Sequence, residues 1–144
     1  MQIAKFKPEH LTGLALQDAQ LHLSRELTTP GFGDTLAQSG FAFTALLDGR
    51  VLAVAGVLPV WENRAVAWAL LAQGAGQHFL PLHRAVHGFL KQTPFVRVEA
   101  FVDADFGAGH RWMRMLGFVN ETPHAPMRKY TPEGRDCFLF SRVK

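Results

Sequence analysis

Apolar positions along this 144-residue chain change their period several times, and each change marks an element. Alternation over residues 2–7 (QIAKFK) predicts a short strand. Pro8 and Glu9 then suit the first turn of a helix, one by its fixed φ and the other by its charge. Leu11, Leu14, Leu21 and Leu27 extend that helix to about residue 27. Residues 28–40, rich in Gly, Thr, Ser and Pro, form a loop with room for one short helical turn. Two β-rich runs, 41–47 and 51–60, flank Asp48-Gly49-Arg50, the strongest hairpin signal in the chain. Glu62-Asn63-Arg64 makes a second turn and 65–72 another strand, so 41–72 is expected as an antiparallel meander. Its strands are apolar at nearly every position, which predicts cover on both sheet faces.

The pattern then becomes helical. Phe79, Leu82, Val86, Phe89 and Leu90 predict a helix over about 78–92, stopped by Pro94. A strand follows at 95–102, a turn at 103–107, and a short helix at 108–116 with Trp112, Met115 and Leu116 inward. Gly117 is its natural C-terminal cap. Residues 118–121 begin a strand that passes into a loop bearing Pro123, Pro126 and Pro132, and 136–143 form a closing strand. The strand–helix–strand unit at 65–102 predicts a right-handed crossover and one parallel pair. The expected fold is α/β (α+β): a mixed sheet, an antiparallel meander followed by one parallel β-α-β crossover, with helices on both faces. No linker or repeat divides residues 1–144, so a single domain is expected.

Composition narrows the class. With 48% hydrophobic and 19% charged residues the chain is too apolar for disorder. Its one cysteine, Cys137, excludes an internal disulfide and is expected as a small core residue. No apolar run reaches the roughly 18 residues of a membrane span, and the opening MQIAKFKPEH lacks a signal-peptide stretch, so a cytoplasmic protein without membrane contact is expected. A net charge of +3 does not by itself point to nucleic acid. An exposed C-terminal strand would allow edge-to-edge pairing into a homodimer.

The chemistry concentrates at Leu70-Leu71-Ala72-Gln73-Gly74-Ala75-Gly76-Gln77-His78, a strand end, a glycine pair and a helix start. Glycines let the backbone turn tightly and approach a ligand, and first-turn N–H groups favour an anion such as a pyrophosphate. An ordinary strand-to-helix turn has the same pattern.

The element order, this junction, and His110-Arg111-Trp112-Met113-Arg114-Met115-Leu116-Gly117-Phe118 together resemble the GNAT superfamily of acyl-CoA-dependent N-acetyltransferases. The second stretch is also similar to the Arg-Trp-x-Arg-x-Leu-Gly-Phe ending of divergent GNAT-like proteins of short-tailed bacteriophages. The resemblance implies an acetyltransferase that uses acetyl-CoA as cosubstrate, holds it with residues 70–78, and passes its acetyl group to a small-molecule or protein amine. It equally allows a GNAT-like structural or interaction protein without catalysis. Three positions depart from the family pattern. The glycines sit close behind Gln73, the usual asparagine falls at Phe106, and the usual proton-donating tyrosine falls at Met113. The only tyrosine, Tyr130, could replace it if its loop folds back.

The resemblance further implies a sheet that splays between the strands at 65–72 and 95–102, with the pantetheine arm pairing against the backbone of Leu70 to Ala72. A strand N–H there would polarise the thioester carbonyl. Glu62 and Glu99 are the candidate bases for the amine proton. The plainer alternatives are a turn charge for Glu62 and, for Glu99, an outward pairing with Arg97 on the same face. Trp61 and Trp68, with the loop at 28–40, would wall the acceptor side, although tryptophans are more often core. His83 and His87 stand at i, i+4, but Arg84 breaks the zinc-protease pattern, so no metal site is expected.

Overall fold

Asp48 and Gly49 both take left-handed backbone angles (φ 51° and 78°), the two-residue turn whose twist matches a strand pair. They join β2 (Ala42–Leu47) to β3 (Arg50–Trp61), with Leu47 opposite Arg50. The computed structural model describes all residues, Met1–Lys144. β1 (Gln2–Lys5) runs antiparallel to β2, and β4 (Arg64–Leu71) follows β3 after a tight turn. β5 (Arg97–Asp103), β6 (Val119–Asn120) and β7 (Cys137–Val143) complete a seven-stranded sheet in the order β1-β2-β3-β4-β5-β7-β6. The pair β4–β5 is parallel and the other registers described are antiparallel, so the mixed sheet and its one parallel pair are as expected.

The chain groups into two compact units. The first comprises Met1–Leu58 and Ala67–Thr93. Its core gathers Phe6, Leu11, Leu16, Leu36, Val54 and Leu70. α3 (Phe79–Gln92) turns Leu82, Val86 and Leu90 inward, and it ends at Thr93, whose extended backbone (ψ 145°) is what a following proline imposes.

The long helix expected from Pro8 does not form. Pro8–Leu11 is a single 3-10 turn, Thr12 is extended, and Gly13 takes φ 75°. A second 3-10 stretch, Asp18–Leu23, leads into the short helices α1 (Ser24–Thr28) and α2 (Phe32–Gln38). Packing overrides the apolar spacing. Leu16, off the supposed stripe, is 2% exposed, whereas Leu21, on it, is 52% exposed. A continuous helix would carry Leu16 away from the bridge it forms with Ala72 beside β4.

The second unit comprises Pro59–Val66 and Pro94–Lys144. β5 and β7 pair along their whole length, from Arg97 opposite Val143 to Asp103 opposite Cys137. Val98, Ala100, Val102, Leu116, Phe118 and Phe140 are buried. α4 (Gly107–Met115) closes as anticipated at Gly117 (φ 89°), where the N–H of Phe118 donates to Met113 C=O at 2.9 Å. β7 is not an exposed edge, because β5 flanks it on one side and β6 on the other. Cys137 is buried, and desolvation raises its thiol pKa, which keeps it in the unreactive protonated form. No helix is long and apolar enough to cross a membrane.

Candidate functional site

Two groups of residues carry the chemistry, one in each unit. In the first, β4 ends at Leu71 and the chain passes through Gly74 (φ 81°) into a 3-10 turn, Ala75–His78, before α3. A β-carbon at Gly74 would meet nothing, so the left-handed backbone is what calls for glycine there. The helix expected from residue 78 is thus preceded by a tighter turn, in which Ala75 N–H donates to Ala72 C=O at 3.1 Å and Gln77 N–H to Gly74 C=O at 3.1 Å. A cavity of about 220 Å³ lies against this junction, walled by Ala72, Gln73, Gly74, Gln77 and His78 and by Asp48 and Arg50 of the β2–β3 turn. Five of the nine residues expected to hold the donor therefore line one cavity, with Arg50 as a cation that sequence reading passed over.

The backbone of β4 alternates in direction. Ala72 N–H donates to Leu52 C=O of β3 at 2.9 Å, so Leu71 and Gln73 present their groups to the opposite edge. Residues 15–20 occupy that edge. Gln17 N–H donates to Leu71 C=O at 2.9 Å, and Gln73 N–H donates to Ala15 C=O at 2.8 Å. The Gln20 side-chain amide donates to Ala69 C=O at 2.7 Å and accepts from Leu71 N–H at 2.8 Å. No local pattern in the sequence announces this. The parallel ladder with β5 covers only Arg64, Ala65 and Val66, opposite Arg97, Val98 and Glu99.

In the second unit, Glu99 is 4% exposed. It accepts from Arg64 Nη2 at 2.7 Å and from Arg97 Nε at 2.6 Å. Arg97 also forks onto Glu121 at 2.9 and 2.5 Å, and Ser141 Oγ donates to Glu121 at 2.5 Å. The Arg64 hydrogen bond, with that of Arg97, holds the Glu99 carboxyl below the usual carboxylate range against the opposing effect of burial. Arg97 and Ser141 hold Glu121 down to about 2. Glu99 is paired with Arg97 as its spacing indicated, but it is buried rather than exposed. With a guanidinium on each oxygen and its pKa lowered, the carboxylate is a weaker base toward an amine proton.

Glu62 lies exposed in the β3–β4 turn. Beside it Trp61 is 61% exposed, with the Arg64 guanidinium 4.8 Å above its ring. Arg64 Nε is buried without a hydrogen-bond partner. The late loop does fold back. Met127 bridges Cys137, Lys129 N–H donates to Asp136 Oδ1 at 2.8 Å, and Tyr130 N–H donates to Arg135 C=O at 2.8 Å. This sets the Tyr130 ring 4.8 Å from Phe101 of β5 and leaves the residue 48% exposed. Glu99 and Phe101 alternate along β5 and so share a face, which places Tyr130 on the same side as the arginine–glutamate network.

Other expectations fare differently. Trp68 packs edge-on to Phe6 at 6.0 Å against the first unit's core. Met113 lies half-buried on α4, and Phe106 precedes that helix. His83 and His87 stack at 5.9 Å, with no group of three metal-ligating side chains around them.

No protein-family model matches the chain, and no curated protein is significantly similar in sequence. Solved structures are similar in fold. Ard1 from Thermoplasma volcanium superposes with a TM-score of 0.76 at 16% identity, over 99% of this chain and 96% of that one. A GNAT-family acetyltransferase from Bacillus anthracis gives 0.71 at 13% identity, over 98% and 93%. The ribosomal-protein-alanine N-acetyltransferase from Brucella melitensis gives 0.68 at 13% identity over both whole chains. With the meander, the parallel crossover and the glycine junction in this order, the chain has the GNAT acetyltransferase fold.

Proposed function

We propose that the protein is an acyltransferase that moves an acetyl group from acetyl-CoA to a primary amine. The observation that carries the reading is the short β4–β5 ladder: it stops at Val66, so the strand edge from Ala67 to Leu71 is not committed to β5. An amide-bearing pantetheine arm would pair with that edge as an added strand does. The diphosphate end would enter the cavity beside Gly74 and Gln77, where Arg50 offsets its charge.

The acceptor nitrogen attacks the thioester carbonyl carbon, the C–S bond breaks, and CoA leaves as a thiolate. An N–H on the β4 edge stabilises the developing oxyanion, and holding the two reactants in line supplies most of the acceleration. Glu62, the exposed carboxylate without an ion pair, takes the amine proton. The Tyr130 hydroxyl, in place of the missing tyrosine at Met113, protonates the thiolate. Glu99 serves by holding Arg64 in place. Comparable acceptors are named for structural neighbours, among them ribosomal-protein alanine and spermidine.

Calorimetric titration with acetyl-CoA tests the reading. Binding that Gly76→Asp weakens supports it, since a side chain at Gly76 meets no neighbour and the variant should fold. No heat at millimolar ligand removes it. A second reading, a non-catalytic module of the same fold, is favoured by the occupied β4 edge and by Met113. It predicts folded protein with no acetyl-CoA binding.

A further inference from the structure

The groups that would receive an acyl donor are already satisfied from within the chain. Ala69 C=O and Leu71 N–H together bind the Gln20 carboxamide, which supplies one amide donor and one amide acceptor. Pantetheine carries amides of the same chemistry. Leu71 C=O and Gln73 N–H are likewise taken by Gln17 and Ala15. Donor and segment cannot hold these four groups at once.

We propose that residues 15–20 are an autoinhibitory strap, with Gln20 as its latch, that must leave the β4 edge before an acyl donor can enter. This rests on the donor reading above and adds its regulation. Three features make the strap releasable. It contains no α-helix: a left-handed Gly13, one bridge at Leu16 and a 3-10 stretch succeed one another. Its hydrogen bonds to the strand edge are between neutral groups, which exchange readily for those of another amide. The closed form also leaves Gln17 Nε2 buried without a partner, a penalty that opening relieves. Leu16, sunk in the core, keeps the opened segment tethered.

Titration of the full chain with acetyl-CoA, beside Gln20→Ala, tests the proposal. Loss of the latch should tighten donor binding about ten-fold, the equivalent of two modest hydrogen bonds no longer displaced. Amide hydrogen exchange on the unaltered protein gives a second readout that needs no variant. Saturating acetyl-CoA should expose the Gln17 amide, which loses Leu71 C=O, while the Leu71 amide stays protected by its new partner. Equal or weaker binding by Gln20→Ala, or a Gln17 amide that keeps its protection in the complex, overturns the strap and leaves the donor site standing. Failure of both proteins to bind acetyl-CoA overturns the donor reading, and the gating role falls with it.

Discussion

The edge of β4 beyond Val66 and the Glu99 face of β5 both hold polar groups away from water, by opposite means. On β4 four backbone groups meet uncharged partners, one neighbour each. On β5 a single buried carboxylate is gripped by two guanidiniums, one of which is itself gripped by a second carboxylate. Neutral amide contacts stabilise little and exchange cheaply. A charge inside such a lattice cannot lose a partner without stranding another. The first region is suited to substitution by a ligand, the second to holding Arg64 and the surrounding strands in fixed register.

The contrast should be plainest when Glu99 is removed. Glu99→Ala leaves Arg64 without its carboxylate and Arg97 Nε without a partner, and should cost about 2–3 kcal/mol in a urea unfolding series, kept below the value for fully buried pairs because both guanidiniums are partly hydrated and Arg97 keeps Glu121. Acid should act next. Glu99 and Glu121 have lowered folded-state pKa values, so their contribution is complete above the unfolded value of roughly 4.3 and fades as pH falls toward about 2, where Glu121 protonates. The urea midpoint should decline below about pH 5, and Glu121→Gln should flatten that decline. On β4 the effects should be smaller. Gln20→Ala should lower stability by about 1–2 kcal/mol in the same assay, with no change in its acid profile. Smallest of all, Gly74→Ala should cost about 1 kcal/mol in a thermal melt because φ is 81°, while Gly76→Ala, with an ordinary φ and open space, should cost nothing.

Legibility in the sequence divides along the same line. The Asp48-Gly49 hairpin, the α3 stripe ended by Pro94 and the Gly117 cap are local signals, and each lies where the residues placed it. The i, i+2 spacing of Arg97 and Glu99 on a strand foretold their pairing. It did not foretell burial, because Arg64 reaches Glu99 from another strand. The region before α2 misled, since Leu11, Leu14, Leu21 and Leu27 fit a helical period while Gly13 and the burial of Leu16 forbid one. Gln20 was out of reach altogether: its partners lie some fifty residues away on β4, and a lone glutamine has no spacing to recognise. Tyr130 was legible only as a condition on its loop, which the Met127–Cys137 bridge pins against β7.

The place of β7 also governs how the second unit can be assembled. It follows β5 and β6 in the chain yet lies between them, so β5 can join β4 as it is made but β6 has no neighbour in the sheet until β7 exists. Until it arrives, β5 is left with an open rim and Phe140 is missing from the hydrophobic interior. A nascent chain halted before Cys137 is thus an adhesive species that chaperones would be expected to hold, and maturation of this unit should be a late, non-local event rather than a stepwise one.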